Sequence, residues 1–166
     1  MSQLTATWML LIIPLILLAL FIRRFILFVT RVSSDSMYPT LKHRDKILSS
    51  RVYLPHKIRR GDILIFYSEE LQKMIVKRVI GLPNDFVEIA QDGSIQVNRE
   101  NLFETFIPLQ KEQVSTAYQV PENKYFFLGD NRAYSNDSRF WKSTFISEKN
   151  IFGKVLLVIS PFRCIH

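Results

Sequence analysis

The stretch KMIVKRVIG, from Lys73 to Gly81, indicates the fold class because β-branched residues recur along it and a glycine ends it. Five other short segments share this composition and are bounded by Gly, Pro, Asn or Asp, as strands usually are. They are DILIFY (62–67), DFVEIA (85–90), SIQVN (94–98), KYFFLGD (124–130) and GKVLLVIS (153–160). No stretch after residue 35 keeps a helical period for three turns, and QDGS is a hairpin-turn signal. The sequence therefore predicts a mostly β domain, built as a folded-over sheet or a small barrel.

The N-terminal segment is far more apolar than the rest of the chain. WMLLIIPLILLALFI, residues 8–22, carries no charge, and FILFV continues the apolar run at residues 25–29 after two arginines. As a helix the first run spans about 22 Å, so crossing a hydrocarbon core of about 30 Å needs the second run as well. No Lys or Arg precedes Trp8 and no A-x-A follows, which favours a retained anchor over a cleaved signal peptide. We therefore predict one N-terminal transmembrane helix within residues 1–30 and a globular domain over residues 31–166.

Charge and cysteine content narrow the classes of partner and cofactor. The formal net charge is +7, but the basic residues are scattered, so we predict attraction to anionic membrane lipid and no binding of nucleic acid. Cys164 is the one cysteine, and it cannot form an internal disulfide or a zinc site by itself. His43, His56 and His166 lack the spacing of metal ligands. The sequence thus predicts no metal and no cofactor.

The segment SSDSMYPTL, residues 33–41, offers Ser36 as a candidate nucleophile. A serine needs a base at neutral pH, and the usual base is a histidine held by an acid. His43 and His56 lie in strongly basic surroundings, and no G-x-S-x-G elbow accompanies the serine. A Ser-His-Asp site is therefore a poor interpretation, and most serine clusters in turns have no chemical role.

A lysine is the other possible base, and Lys77 is the best-placed candidate. On a strand, Ile75 and Val79 share its face, and apolar surroundings disfavour the charged amine. The ordinary lysine pKa must fall by about 3 units, roughly 4 kcal/mol, before the amine can accept a proton near neutral pH. The competing interpretation is a surface lysine on an edge strand, where charge discourages aggregation.

The polar loop GDNRAYSNDSRFW, residues 129–141, follows the aromatic strand YFFL. It favours Asx-type turns at Asp130, Asn131 and Asn136, and it lacks the EF-hand pattern. Taken alone it is a loop, but its many hydrogen-bonding groups are suited to supporting a neighbouring site.

Four motifs, in order, resemble the bacterial type I signal peptidases, the Ser-Lys membrane peptidases that remove signal peptides from exported proteins. The motifs are SDSMYPTL (34–41), RGDILIF (60–66), KRVIGLPND (77–85) and GDNRAYSNDSR (129–139). The resemblance covers nearly the whole chain, and the short spacing between Ser36 and Lys77 is similar to that of the compact form of the family. It implies that Ser36 is the nucleophile and Lys77 the general base.

The resemblance also implies supporting roles around this pair. The Ser34 hydroxyl and the Ser36 backbone N–H would form the oxyanion hole, and Ser135 would orient the lysine amine by a hydrogen bond. Asp137 and Arg139 would pair and hold their loop against the site.

The implied substrates are preproteins with small residues at positions −1 and −3 from the cut. They would bind as an added strand between the segment leading into Ser36 and the one leading into Lys77. Val32, Met74 and Ile75 would line the shallow side-chain pockets.

The implied setting is a single-pass protein of the cell membrane that acts as a monomer, with its catalytic domain on the extracytoplasmic face. The charge pattern points the other way. Arg23, Arg24 and Arg31 follow the apolar run, and the positive-inside rule alone would place the domain in the cytoplasm. We expect the orientation that the four motifs imply.

The sequence departs from the family pattern in three places. Asn84 stands where glycine is usual, and asparagine tolerates the positive φ that glycine would supply. Arg99 follows Asn98 where Asn-Gly is common, which weakens the prediction of a hairpin there. KSTF after Trp141 resembles a short insertion that alters the local shape of the loop.

Three alternatives stay open from the sequence. A self-cleaving repressor also uses a Ser-Lys pair, but that class lacks an anchor and normally carries a DNA-binding helical domain. A processing peptidase of the mitochondrial inner membrane has a similar site. The third is a membrane-tethered β domain that binds extended peptides without catalysis.

Overall fold

The computed structural model describes residues 2–102, 115–160 and 162–164; His166 lies outside these ranges. Helix α1 (Ser2–Phe21) continues into a π-helical turn at Ile22–Ile26, and 3-10 turns occupy Pro55–Lys57 and Glu148–Asn150. The strands in the described ranges are β1 (Leu27–Arg31), β2 (Lys46–Arg51), β3 (Ile63–Ser68), β4 (Lys73–Gly81), β5 (Phe86–Ile89), β6 (Ile95–Val97), β7 (Glu100–Asn101), β8 (Thr116–Gln119), β9 (Lys124–Leu128), β10 (Ile146–Ser147), β11 (Ile151–Ser160) and β12 (Phe162–Cys164).

The apolar N-terminal run forms α1, but the second apolar run does not extend that helix. Leu27–Arg31 instead pairs antiparallel with β2, from Leu27 opposite Ser50 to Arg31 opposite Lys46. Sheet pairing satisfies the backbone groups of these residues, which corrects the prediction that the helix continues to Val29. In the described part of the chain, no helix has both the length and the apolar character needed to cross a membrane.

Eight strands form one antiparallel sheet in the order β1-β2-β11-β3-β4-β9-β10, with β12 added on β11. The order has two ends within the described ranges, so the structure is a folded sheet and not a closed barrel. The β3–β4 hairpin is in register from Ile63 opposite Arg78 to Ser68 opposite Lys73. Beyond Arg78, the other edge of β4 pairs with β9. The prediction of a mostly β protein is confirmed.

A smaller antiparallel sheet, in the order β7-β6-β5-β8, joins the large one through the β4–β5 connection. Its QDGS turn contains Gly93 at a φ of 83°, as a hairpin turn requires. The β6–β7 hairpin turns through Asn98 and Arg99, with φ of 55° and 70°. The expectation that Arg99 weakens this hairpin is therefore wrong, because Arg99 adopts the left-handed conformation of a two-residue turn. Asn84 also has a positive φ, of 70°, as predicted.

Two apolar clusters on the large sheet position the candidate residues. The lysine-side cluster contains Ile75 and Val79 of β4, packed with Phe66, Phe127 and Trp141 among others. The serine-side cluster is made of Val32, Met37, Leu41, Ile47, Ile63, Ile65, Val155 and Val158. Since side chains alternate along a strand, β4 directs Ile75, Lys77 and Val79 to one face. A third cluster lies between β9 and the smaller sheet.

Candidate active site

Ser36 and Lys77 meet beside the middle of β4, just before the point at which β9 begins to pair with that strand. The Lys77 Nζ donates a hydrogen bond to the Ser36 Oγ over 2.5 Å. Ser36 is half-buried in the turn that follows β1, and Lys77 is only 3% exposed. The structure thus joins the predicted nucleophile and the predicted base in one short contact.

Buried neighbours fix the turn that carries Ser36. The Tyr38 N–H donates to the Asp35 carbonyl at 3.0 Å, and the Leu41 N–H donates to the Met37 carbonyl at 2.8 Å. Met37 and Leu41 are buried in the serine-side cluster. The serine therefore lies on a tight turn that the core holds at both ends, which limits how far its hydroxyl can move.

The environment of Lys77 favours its neutral form. Burial lowers the pKa of Lys77 from 10.5 to about 8, because an apolar surrounding penalises the charged amine. The nearby charges of Asp137 and Asp130 oppose this effect, and the charge of Lys73 adds to it. With a pKa near 8, about one tenth of the amines are neutral at pH 7. Such an amine can act as a base slightly above neutral pH.

Asp137 organises the polar loop that covers the lysine. The Gly129 N–H donates to Asp137 Oδ2 at 3.0 Å, and the Arg139 Nε donates to Asp137 Oδ1 at 2.8 Å. A second guanidinium nitrogen of Arg139 donates to the Arg132 carbonyl. The carboxylate is fully buried, so its paired guanidinium is what makes the burial tolerable. Asp137 and Arg139 do pair, as the resemblance implies.

A second ion pair, not expected from the sequence, ties together the three segments that form the candidate site. Arg78 donates to both carboxylate oxygens of Asp130, at 2.7 and 2.6 Å. The Thr40 hydroxyl donates to the same carboxylate at 2.6 Å, and Arg78 also donates to the Gly61 carbonyl. Thr40 belongs to the serine turn, Arg78 to β4 and Asp130 to the polar loop. A bidentate pair of this kind adds geometric precision as well as energy.

Ser135 is buried, but its hydroxyl has no hydrogen-bond partner in the described part of the chain. The predicted bond to the Lys77 amine is therefore not formed in this structure. A Cβ built on Gly129 would collide with the Ser135 side chain and with the Ser36 carbonyl oxygen. The absence of a side chain at Gly129 thus lets the Ser135 hydroxyl approach the serine turn. A buried hydroxyl left unpaired costs about 1–3 kcal/mol. A hydrogen bond formed by the Ser135 hydroxyl, as donor or as acceptor, would therefore be favourable.

One of the two predicted oxyanion donors, the Ser34 hydroxyl, lies on an exposed residue beside Ser36. The Ser34 Oγ is 3.2 Å from the Ser36 Oγ, and Ser34 is exposed. Its hydroxyl can rotate toward an incoming carbonyl without moving the backbone.

Asn131 holds both peptide groups that flank Ser36. Its backbone N–H donates to the Ser36 carbonyl at 3.1 Å, and its side-chain amide donates to the Asp35 carbonyl at 3.0 Å. The Asp35 carbonyl and the Ser36 N–H belong to one planar peptide unit, so this bond fixes the direction of the N–H. In the sequence Asn131 carries only a turn signal, because nothing local predicts a contact across 96 positions.

The three predicted pocket residues fall into two groups. Val32 and Ile75 are buried in the serine-side and lysine-side clusters, at 5% and 8% exposure, whereas Met74 is 47% exposed. Among the described residues, β9 pairs with β4 only from Arg78 onward. One edge of Lys73–Val76 therefore faces no strand, and an open antiparallel edge can accept an extended peptide.

No cluster of His, Cys, Asp and Glu side chains within the described ranges could hold a metal ion. The site itself offers a half-buried hydroxyl, an amine whose pKa is lowered to about 8 and the hydrogen-bond donors beside them. This set is suited to nucleophilic attack on a carbonyl carbon.

Comparison with known proteins relates the chain to one family. The sequence profile described as "Signal peptidase, peptidase S26" matches residues 5–160. The chain is 35% identical to "Signal peptidase I S" of Bacillus subtilis (strain 168), over 94% of this chain and 89% of that protein. It is 33% identical to "Signal peptidase I" of Leptolyngbya laminosa, over 88% of this chain and 75% of that protein.

A solved structure gives the same likeness at the level of the fold. The crystal structure of a signal peptidase I from Enterococcus faecalis V583 superposes with a TM-score of 0.52 and 30% sequence identity. The match covers 59% of this chain and 96% of the other.

Proposed function

This chain belongs to the S26 family of signal peptidases, and we propose that it removes signal peptides from exported proteins with Ser36 as nucleophile and Lys77 as general base. The observation that carries this assignment is the 2.5 Å contact between the Ser36 hydroxyl and a buried amine whose pKa is lowered to about 8. Both residues and their supports come from one chain, so the proposed site needs no residue from a second copy.

The reaction proceeds through an acyl-enzyme. The Ser36 Oγ attacks the scissile carbonyl carbon while its proton passes to the neutral Lys77 Nζ. The Ser34 hydroxyl and the Ser36 N–H stabilise the oxyanion, and Asn131 holds the peptide unit that carries this N–H. Lys77 then gives the proton to the leaving amine, which departs as the new N-terminus of the mature protein. Water, activated by the same lysine, hydrolyses the ester and releases the signal peptide.

Ser135 has a supporting part in this scheme. Its unpaired hydroxyl lies close to the serine turn, and a small rotation or shift on substrate binding would bring it into use. We assign to it the orientation of the Lys77 amine once that amine has lost its proton. Hydrogen bonds of catalytic groups often tighten only when substrate is bound.

The substrate adds as a strand along the open edge of Lys73–Val76. Main-chain hydrogen bonds give affinity, and the shallow surface beside Val32, Met74 and Ile75 gives specificity. Val32 and Ile75 expose little surface, so we propose that they form the floor of shallow pockets for short side chains. This agrees with small residues at positions −1 and −3 of the preprotein.

We also assign to α1 the attachment to the membrane, with the catalytic domain on the extracytoplasmic face. Its apolar side chains between Ile12 and Phe21 that the structure describes are 49% to 66% exposed, so no part of the described domain covers them. Apolar surface of this extent is suited to contact with lipid acyl chains. A reporter fused after residue 166 would test the orientation, and a cytoplasmic reporter would contradict a role in export.

The direct test is cleavage of a purified preprotein by the detergent-solubilised chain. We expect Ser36→Ala and Lys77→Ala to lose activity on the order of 10³-fold or more. Lys124→Ala, which removes an exposed lysine from β9, is the matched control and should retain activity. Activity that survives Lys77→Ala would exclude this lysine as the base. Activity that survives Ser36→Ala would exclude the acyl-enzyme.

A further inference from the structure

A cavity of about 300 Å³, separate from the dyad, opens between the end of β2, the 3-10 turn Pro55–Lys57 and β11. Three basic side chains line it: Arg51, Lys57 and Lys154. Val52, Tyr53 and Leu54 complete much of its wall. Its volume lies at the lower end of the roughly 300–1,000 Å³ range that is usual for ligand sites. The cavity thus combines a basic interior with apolar walls.

Two of the three basic groups are held in place, and two of the three have no ion-pair partner in the described part of the chain. The Arg51 guanidinium lies over the rings of Phe28 and Phe152, at 5.5 and 4.9 Å from their centroids. Lys154 pairs with Asp62 at 2.6 Å. Within the described residues, no carboxylate forms an ion pair with Arg51 or Lys57. The cavity therefore keeps two uncompensated positive charges beside one that is paired.

The cavity lies at the junction between the domain and α1. The Tyr53 hydroxyl donates to the Phe25 carbonyl in the turn that follows α1, at 2.5 Å. Apolar side chains surround this junction and face outward, with Tyr53 65% exposed and Leu54, Ile26 and Phe152 close to half-exposed. A basic hollow with an apolar rim, at the base of an apolar helix, has the chemistry of the boundary between headgroups and acyl chains.

We propose that this cavity binds the phosphate headgroup of an anionic phospholipid, with Arg51 and Lys57 as the anion-binding groups. The inference rests on the proposed attachment of α1 to the membrane. Free phosphate would satisfy the basic groups, but it would make no use of the exposed apolar rim, whereas a phospholipid uses both features. The bound headgroup would hold the domain close to the bilayer and fix its rotation about the junction with α1.

The experiment measures lipid retained by the full chain carrying Ser36→Ala, purified in dodecyl maltoside and examined by native mass spectrometry. Dioleoylphosphatidylglycerol and dioleoylphosphatidylcholine are added in parallel. We expect preferential retention of phosphatidylglycerol, and Lys57→Gln should weaken it about fivefold, as expected for one basic group near a lipid phosphate. Lys149→Gln removes the same charge from an exposed lysine in the 3-10 turn Glu148–Asn150 and is the matched control.

Three results would overturn the proposal. They are equal retention of the two lipids, equal weakening by Lys57→Gln and Lys149→Gln, and binding of inorganic phosphate as tight as that of phosphatidylglycerol. The last result would assign the cavity to free phosphate. Cleavage of a preprotein by the chain with Ser36 intact is measured in the same detergent. Loss of lipid selectivity with cleavage intact counts against the cavity alone, whereas missing cleavage with selectivity intact counts against the proposed function alone.

Discussion

The two halves of β4 differ in what borders them, and in the proposed function this difference separates catalysis from substrate binding. The second half, Arg78–Gly81, pairs with β3 or the turn before it on one side and with β9 on the other. The first half, Lys73–Val76, pairs with β3 alone among the described residues. Lys77 lies at the boundary, where the closed half begins. One strand therefore provides a dry environment for a base and, next to it, an open edge for a peptide.

Two lysines four positions apart on one face of β4 differ sharply in their exposure to water. Lys73 lies on the open half and is exposed, whereas Lys77 is 3% exposed and has its pKa lowered to about 8. Their flanking residues are of similar character in the sequence. The strand β9 and the polar loop that follows it shield the closed half from water, and this shielding is a tertiary effect.

The largest expected effect belongs to the closed half. Lys77→Met should reduce kcat/KM on the order of 10³-fold or more, because among the described residues Lys77 is the base that contacts the Ser36 hydroxyl. The same change should stabilise the folded chain at neutral pH, since it removes a buried ammonium group. A pKa lowered from 10.5 to about 8 corresponds to about 3 kcal/mol of destabilisation by the charged lysine. Denaturant unfolding in detergent measures the gain.

The pH dependence of this gain tests its cause. The folded pKa lies below the unfolded pKa, so the lysine destabilises the fold fully below pH 8 and progressively less as pH rises toward 10.5. The gain from Lys77→Met should therefore be largest below pH of about 8 and should shrink above it. Lys73→Met, on the exposed half, should change stability little at any pH. A gain that is constant with pH would show that desolvation of the amine is not its source.

The next largest effect concerns two adjacent residues in the open half of β4, Met74 and Ile75. Ile75→Ala should lower the free energy of unfolding by about 2–5 kcal/mol, because Ile75 packs in the lysine-side cluster. Met74→Ala should change it far less, since Met74 is 47% exposed. Met74→Ala should instead change the KM for preproteins, by an amount that depends on the residues at positions −1 and −3. Equal stability losses for the two variants would contradict the assignment of their side chains to opposite faces.

Asn131→Ala tests the turn that carries Ser36 and contacts Lys77 where the closed half of β4 begins. We expect kcat to fall about tenfold, because the peptide unit that bears the Ser36 N–H loses the donor that orients it. Affinity for a peptide boronate that adds to Ser36 should fall in parallel with kcat/KM, while affinity for the product peptide should not change. Asn136→Ala removes an exposed asparagine of the same loop and serves as the control. Parallel losses of boronate and product affinity would assign Asn131 a structural role alone.

Local patterns were enough to single out Lys77 as a candidate base and to predict the face on which it lies, because alternation along a strand needs no tertiary knowledge. Lys77, Ile75 and Val79 followed from the residues between 73 and 81. Strand β2 was missed because KILSSR has two serines in place of apolar residues, and one of them, Ser49, is fully buried. A pattern method reads such a segment as a loop.

Contacts between distant segments could not be derived from pattern. The pairing of Ser36 with Lys77 and of Asp137 with Arg139 came from the resemblance to a family, since local spacing does not place three segments at one point. The Arg78–Asp130 ion pair and the hydrogen bonds from Asn131 to the peptide groups beside Ser36 could not be predicted from the sequence. Each depends on how the polar loop folds back over β4. The hydrogen bond expected between Ser135 and the Lys77 amine is not formed, because a resemblance names the residue but does not give the rotamer of its side chain.

The smallest expected effect links the two halves of β4 by charge alone. Lys73 lowers the pKa of Lys77, because two positive charges on one strand face repel and the buried amine loses its proton more readily. Lys73→Gln should therefore raise the midpoint of the rise of kcat/KM with pH, without changing activity well above that midpoint. Lys124→Gln removes an equal charge from β9 and should leave the midpoint in place. A midpoint that moves downward in Lys73→Gln would contradict this effect of charge. It would mean that Lys73 affects Lys77 through hydration, and that solvent screens the charge of the Lys73 ammonium before it reaches Lys77.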